Sequence, residues 1–136
     1  MSIICGKVSI VKYLLDKYGI DVNYQNVNGT SLLMCSHDIE LLQYLVEEKL
    51  CNVNLKDNDG YTALYWIGIN NNPRNNINII IYLLNHGAQV SLKTNNGNDT
   101  LDHVIEHLSD NYNVVYYTKV YDIIKIKHNQ ETFITY

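Results

Sequence analysis

Apolar residues along the chain fall into three hexads of one pattern: Ile10-Val11-Lys12-Tyr13-Leu14-Leu15, Leu41-Leu42-Gln43-Tyr44-Leu45-Val46 and Ile79-Ile80-Ile81-Tyr82-Leu83-Leu84. Apolar positions at i, i+1, i+4 and i+5 share one face of a helix, so each hexad predicts a buried helix with Tyr at its fourth place. Each runs into a polar turn (residues 17–19, 47–49 and 85–87) and then into a junction with its own signature. In every junction a Val stands seven residues before a Gly and a Leu four residues after it: Val22, Gly29, Leu33; Val53, Gly60, Leu64; Val90, Gly97, Leu101. The glycines recur at intervals of 31 and 37 residues. Two signals repeating in phase at such a spacing predict a stack of supersecondary units that share one continuous core.

The central junction carries the clearest motif. Asp57-Asn58-Asp59-Gly60-Tyr61-Thr62-Ala63-Leu64-Tyr65 resembles the turn and helix opening of the ankyrin repeat, with Ala63 and Tyr65 standing where that family has Pro and His. Ser31-Leu32-Leu33-Met34 and Asp99-Thr100-Leu101-Asp102 are looser copies, and the resemblance spans about residues 6–108. It implies an all-α solenoid of three to four irregular helix-turn-helix repeats with β-turn fingers. The expected division is a single domain over 1–136: a partial repeat at 1–25, repeats at 26–56 and 57–93, and a degenerate repeat with cap at 94–136. Gly29 and Gly60 are assigned to turns needing positive φ, and Gly87 and Gly97 to structural positions of the repeat. Thr62 and Ser31 are read as helix caps, and Leu64 and Leu101 as inward anchors.

The first unit has only its second helix, so its outer side is expected to be poorly capped. In the second unit the first helix is short, with Ser36-His37-Asp38 as the break. Residues 70–78 read as an Asn-rich loop that lengthens the third unit. Leu101, Val104, Ile105 and Leu108 predict an amphipathic helix, and 114–126 a further one. Lys119, Lys125, Lys127 and His128 then make a basic, solvated end.

Composition narrows the function. The net charge is −4 and the pI near 5.6, which argues against a nucleic-acid footprint. No run of 18 apolar residues and no signal-peptide pattern is present, so neither a membrane partner nor export is expected. Cys5, Cys35 and Cys51 lack metal-ligand spacing and read as free thiols in a reducing compartment, hence a cytoplasmic protein. Nineteen Asn, 16 Ile and 12 Tyr are read as the imprint of an A/T-rich genome.

His103-Val104-Ile105-Glu106-His107 matches the H-x-x-E-H motif of inverted zinc peptidases, with Asp102 and Asp110 as conceivable extra ligands. The repeat period already accounts for this helix, and a short stack offers no deep pocket. No phosphate-binding Gly loop, nucleophile elbow or Cys-x-x-Cys pair is present. The reading adopted is therefore non-enzymatic and monomeric, without metal or cofactor, with a zinc hydrolase through His103, Glu106 and His107 as the distant alternative.

The ankyrin resemblance implies protein recognition by the fingers and first helices. Candidate contacts are Val27, Asn28 and Thr30; Asn58, Asp59, Tyr61, Tyr65 and Trp66; and Asn95, Asn96 and Asn98. Tyr61 is expected to point into solvent from its fingertip. Degenerate units, uneven spacing and Asn/Ile/Tyr-rich composition resemble the ankyrin proteins of poxviruses. That resemblance implies a viral module binding a host protein in the host cytoplasm, to modulate defence or host range. The alternative is a truncated remnant of a longer ubiquitin-ligase adaptor, without the F-box-like segment such adaptors carry.

Overall fold

A computed structural model of the chain describes residues 8–69, 77–109 and 114–133. Cys5, Asp110 and most of the predicted 70–78 loop lie outside these residues. Within them every regular element is helical, and the only strand-like pairing is an isolated bridge between Gln25 and Ser31. In order come α1 (Val8–Tyr18), a 3₁₀ turn (Leu33–Cys35), α2 (Ile39–Gln43) running into a π-helical turn (Tyr44–Glu48), and a π-helical segment (Leu64–Ile69). Then follow α3 (Ile77–Asn85), α4 (Thr100–Ser109) and α5 (Val114–Phe133).

The second and third hexads form the buried layer largely as their pattern requires, whereas in the first only Leu15 is buried and Ile10 is 51% exposed. Leu15, Leu41, Leu42, Leu45, Ile79, Ile80 and Leu83 are buried in one core that continues through Leu33, Leu64, Ile67 and Val104 to Val120 and Ile124. Leu101, expected as an anchor, packs against this core but stays half-exposed. The tyrosines of the hexads couple adjacent units. Tyr44 donates its hydroxyl to Asp16 (2.6 Å) and Tyr82 donates to Glu47 (2.7 Å), each acid lying three residues beyond the preceding hexad's tyrosine. Lys49 pairs with the same Asp16 carboxylate at 2.6 Å, and that bond, with the Tyr44 hydroxyl, holds the carboxyl below its ordinary range.

Between the helical layers, each junction folds into a finger closed by two backbone bonds. These are Asn26 N to Thr30 O, Asp57 N to Tyr61 O and Thr94 N to Asn98 O, with Gly29, Gly60 and Gly97 donating back to the finger's first carbonyl. All three glycines have φ between 79° and 90°. At Gly60 there is a second constraint: a Cβ would stand 2.8 Å from the Thr94 Cα and 2.9 Å from the Asn95 nitrogen.

Four of the asparagines, whose excess reads as codon bias, serve this stack. Asn58 and Asn95 donate backbone N–H to the fingers before them and their side-chain amides to Val27 O and Asn58 O. Asn23 accepts from Asn52 N, and Asn54 from Gln89 N, one unit further on. Gln25 reaches Lys56 O, and Lys56 reaches Lys93 O. An amide both donates and accepts, so it can satisfy backbone on two neighbouring units at once.

The short first helix of the second unit is a single 3₁₀ turn. Ser31 Oγ accepts from Met34 N at 3.4 Å, and Asp38, read as part of a break, is the N-cap of α2. Two expectations need correction at the far end. Helix α5 runs seven residues past 126, because no Pro or Gly interrupts it and its last turns dock on the third unit. His128, expected to be solvated, instead lies 2.8 Å from Asp99. Glu131 accepts from Val90 N, Ser91 N and Ser91 Oγ (2.6–3.1 Å). At its start, Tyr116 and Tyr117 donate to Gly68 O and Ile69 O. Helix α5 is thus fastened at both ends.

An aromatic face on the fingers and first helices

The third unit places three aromatic side chains on consecutive parts of one finger and the helix it leads into. Tyr61 follows Gly60 at the end of the turn, and the Thr62 carbonyl accepts from Trp66 N at 3.2 Å to start the helix. In that π-helical segment Tyr65 and Trp66 both lie near Tyr61 while Leu64 and Ile67 stay fully buried. The ring centroids of Tyr61 and Tyr65 are 4.2 Å apart, and Trp66 stands edge-on to both at 5.7 and 5.2 Å. All three rings are half-buried.

Asp57 organises the cluster from beneath. One carboxylate oxygen accepts from Asp59 N and Tyr61 N, and the other from the Trp66 indole at 2.9 Å. A fourth ring arrives from the next unit: His103 on α4, 5.2 Å from Tyr61 and 4.9 Å from Tyr65. Burial, at 6% exposure, lowers the His103 pKa, so the imidazole is neutral. Burial likewise pushes the Tyr65 hydroxyl up to about 12, with Tyr61 and Glu106 contributing.

Tyr61 is therefore not the free-standing fingertip expected, since its ring packs on three others. Such pairs each contribute about 0.5–1.5 kcal/mol. Asn58, another candidate contact, spends its amide on the stack, as does Asn95. Asn28, Asp59, Asn96 and Asn98 are exposed, Thr30 is half-buried, and Val27 is 89% exposed. The structure joins His103 to Tyr61, Tyr65 and Trp66, a grouping the sequence reading did not make. Its signal was legible: His103 lies six residues after Gly97, as Trp66 lies six after Gly60.

The residues of the zinc motif serve other contacts. His103 packs on the tyrosines, and His107 lies 4.9 Å from the Tyr117 ring with Nδ1 2.8 Å from His103 O. Asp102 caps α4, exchanging bonds with Asp99: Asp102 N donates to Asp99 Oδ1, and Asp99 N donates to Asp102 Oδ2. Among the described residues no three His, Cys, Asp or Glu side chains gather as a metal site. Cys35 and Cys51 are not disulfide-bonded, and burial pushes the Cys51 thiol up to about 11, away from thiolate chemistry. Among the described residues no helix is long and apolar enough to cross a membrane.

A family model described as ankyrin repeats (3 copies) matches residues 1–94 and again 32–117. The BTB/POZ domain and ankyrin repeat-containing protein NPR2 of Oryza sativa subsp. japonica is 34% identical over 94 residues, covering 69% of this chain and 14% of that protein. The ankyrin repeat and SAM domain-containing protein 6 of Rattus norvegicus is 35% identical over 104 residues, covering 74% of this chain and 11% of its own length. The chain thus spans only a small part of either relative.

Proposed function

We propose that this chain, which belongs to the ankyrin-repeat family, is a non-enzymatic protein-recognition module that binds through the finger and first-helix face centred on Tyr61, Tyr65 and Trp66. The observation that carries the proposal is the half-buried ring cluster. Folding has already ordered these rings, so a partner covering their exposed sides gains apolar burial at small entropic cost. Tyr and Trp are enriched among the residues that dominate binding energy. Asn28, Thr30, Asp59, Asn96 and Asn98 line the neighbouring fingers as a polar rim. We further propose that the partner is a host protein and the chain a viral host-range factor acting in the cytoplasm as a monomer. The uneven repeats and Asn/Ile/Tyr-rich composition support that part.

Trp66 is the only tryptophan in the chain, so its fluorescence reports on this face directly. Peptides selected from a randomised display library should shift Trp66 emission on binding, and Tyr65→Ala should weaken them by tenfold or more, about 1.4 kcal/mol. Selected peptides that leave Trp66 unchanged and bind the variant equally would place recognition elsewhere.

A further inference from the structure

The face built from Tyr61, Tyr65 and Trp66 is flanked by two carboxylates that the fold does not use. Asp59, two residues before Tyr61, gives its backbone carbonyl to Asn95 N, but its side chain has no partner among the described residues. Glu106, on α4, is exposed and likewise unpaired, yet close enough to Tyr65 and His103 to act on both. The neighbouring acids are committed: Asp57 to the finger and indole, Asp99 to His128, and Asp102 to the cap of α4. The nearby cations do not cancel the free pair. Lys56, at the root of the same finger, holds its ammonium 3.0 Å from Lys93 O, and Lys93 lies at the root of the next finger. His103 stands neutral behind the tyrosines.

Resting on the proposed binding face, we infer that its partner is a cationic segment, an extended stretch bearing arginine. A guanidinium stacks on the exposed face of Tyr61 or Tyr65 and meets Asp59 or Glu106 as counter-charge. Electron-rich rings beside unpaired carboxylates attract such a group twice over. The excess of negative charge on the whole chain steers the same kind of partner.

The test uses two labelled peptides of equal length, one arginine-rich and the other its glutamate-substituted twin, followed by anisotropy and by Trp66 emission. The arginine peptide should bind and shift Trp66, and the twin should not. Asp59→Asn and Glu106→Gln should each weaken binding about two- to fivefold, with melting temperatures unchanged because neither carboxylate supports the fold. Equal binding of the twin, or wild-type affinity in the double variant, overturns the inference. If library peptides without cationic residues shift Trp66 while the arginine peptide does not, the face stands and its charge preference falls. If no peptide of any kind shifts Trp66, both fall.

Discussion

Thr94 occupies the place in the third finger that Asn26 and Asp57 hold in the first two, and it fills that place badly. Asn26 Oδ1 accepts from Asn28 N and Thr30 N, and Asp57 Oδ1 from Asp59 N and Tyr61 N, all between 2.9 and 3.0 Å. Asp57 also holds the Trp66 indole. The matching pair in the third unit is Thr94 and His103, and both Thr94 Oγ1 and His103 Nε2 are buried without a hydrogen-bond partner. Thr94→Asp should therefore restore two bonds to Asn96 N and Asn98 N and supply an acceptor for His103. Each bond is worth about 0.5–1.5 kcal/mol net, and removing an orphaned buried polar atom adds about 1–3 kcal/mol. Against this stands the cost of placing a carboxylate where Thr94 is 8% exposed, several kcal/mol for an unpaired ion. With three donors waiting, the balance should be a gain of about 1–2 kcal/mol, read as a rise of about 4–8 °C in melting temperature for a domain of this size.

A pH series makes the prediction sharper. Burial lowers the His103 pKa, so the unfolded chain takes up a proton that the folded one refuses. Wild-type stability from this residue is present above about pH 6.5 and falls as pH drops toward the folded pKa. A carboxylate beside the ring raises that pKa and removes the loss, so the advantage of Thr94→Asp should widen between pH 7 and about 5.5. Thr94→Asn separates the two effects, because it restores the finger bonds without the charge. A melting temperature unchanged or lowered in both variants would refute the equivalence of Thr94 with Asp57.

Gly60→Ala should cost more than about 2 kcal/mol, because its Cβ meets backbone of the third finger. Gly97→Ala, with the same sign of φ but open space around it, should cost only about 1 kcal/mol; equal losses in urea melts would contradict the packing of fingers. Leu50 has φ 55° and is 78% exposed, in the turn where Gly19 and Gly87 serve the other units, so Leu50→Gly should raise stability by about 1 kcal/mol in the same assay. Asp99 is pushed up by burial but held down further by the Asp102 amide and His128. Its contribution is present above about pH 4 and lost as pH falls through its lowered pKa, and Asp99→Asn should flatten the acid limb of the stability curve. Tyr61→Ala should cost about 1–2 kcal/mol through its ring contacts, against about 2–5 kcal/mol for Leu64→Ala; a melt identical to wild type would return Tyr61 to the solvent.

Periodicity in the chain determined the architecture, because the helix hexads and the glycines of the fingers answer to local rules. A hexad gathers its apolar side chains on one face of a helix, and the finger turns need positive φ whatever surrounds them. Hence α1, α2 and α3 lie where their apolar pattern places them, and Gly29, Gly60 and Gly97 turn the chain. What tertiary structure alone decided concerns residues whose partners lie one unit away or more. Tyr61 faces solvent by its place in the motif, but His103 comes up against it from 42 residues downstream and makes it part of a cluster. His128 looks like part of a solvated tail until α5 folds back and sets it on Asp99, with Glu131 on Ser91. Asn58 and Asn95 read as finger residues open to a partner until the fingers stack and their amides find carbonyls in the unit before. Local pattern marks what a residue does to its own turn or helix, whereas its role between units follows only once the stack brings distant backbone within hydrogen-bonding reach.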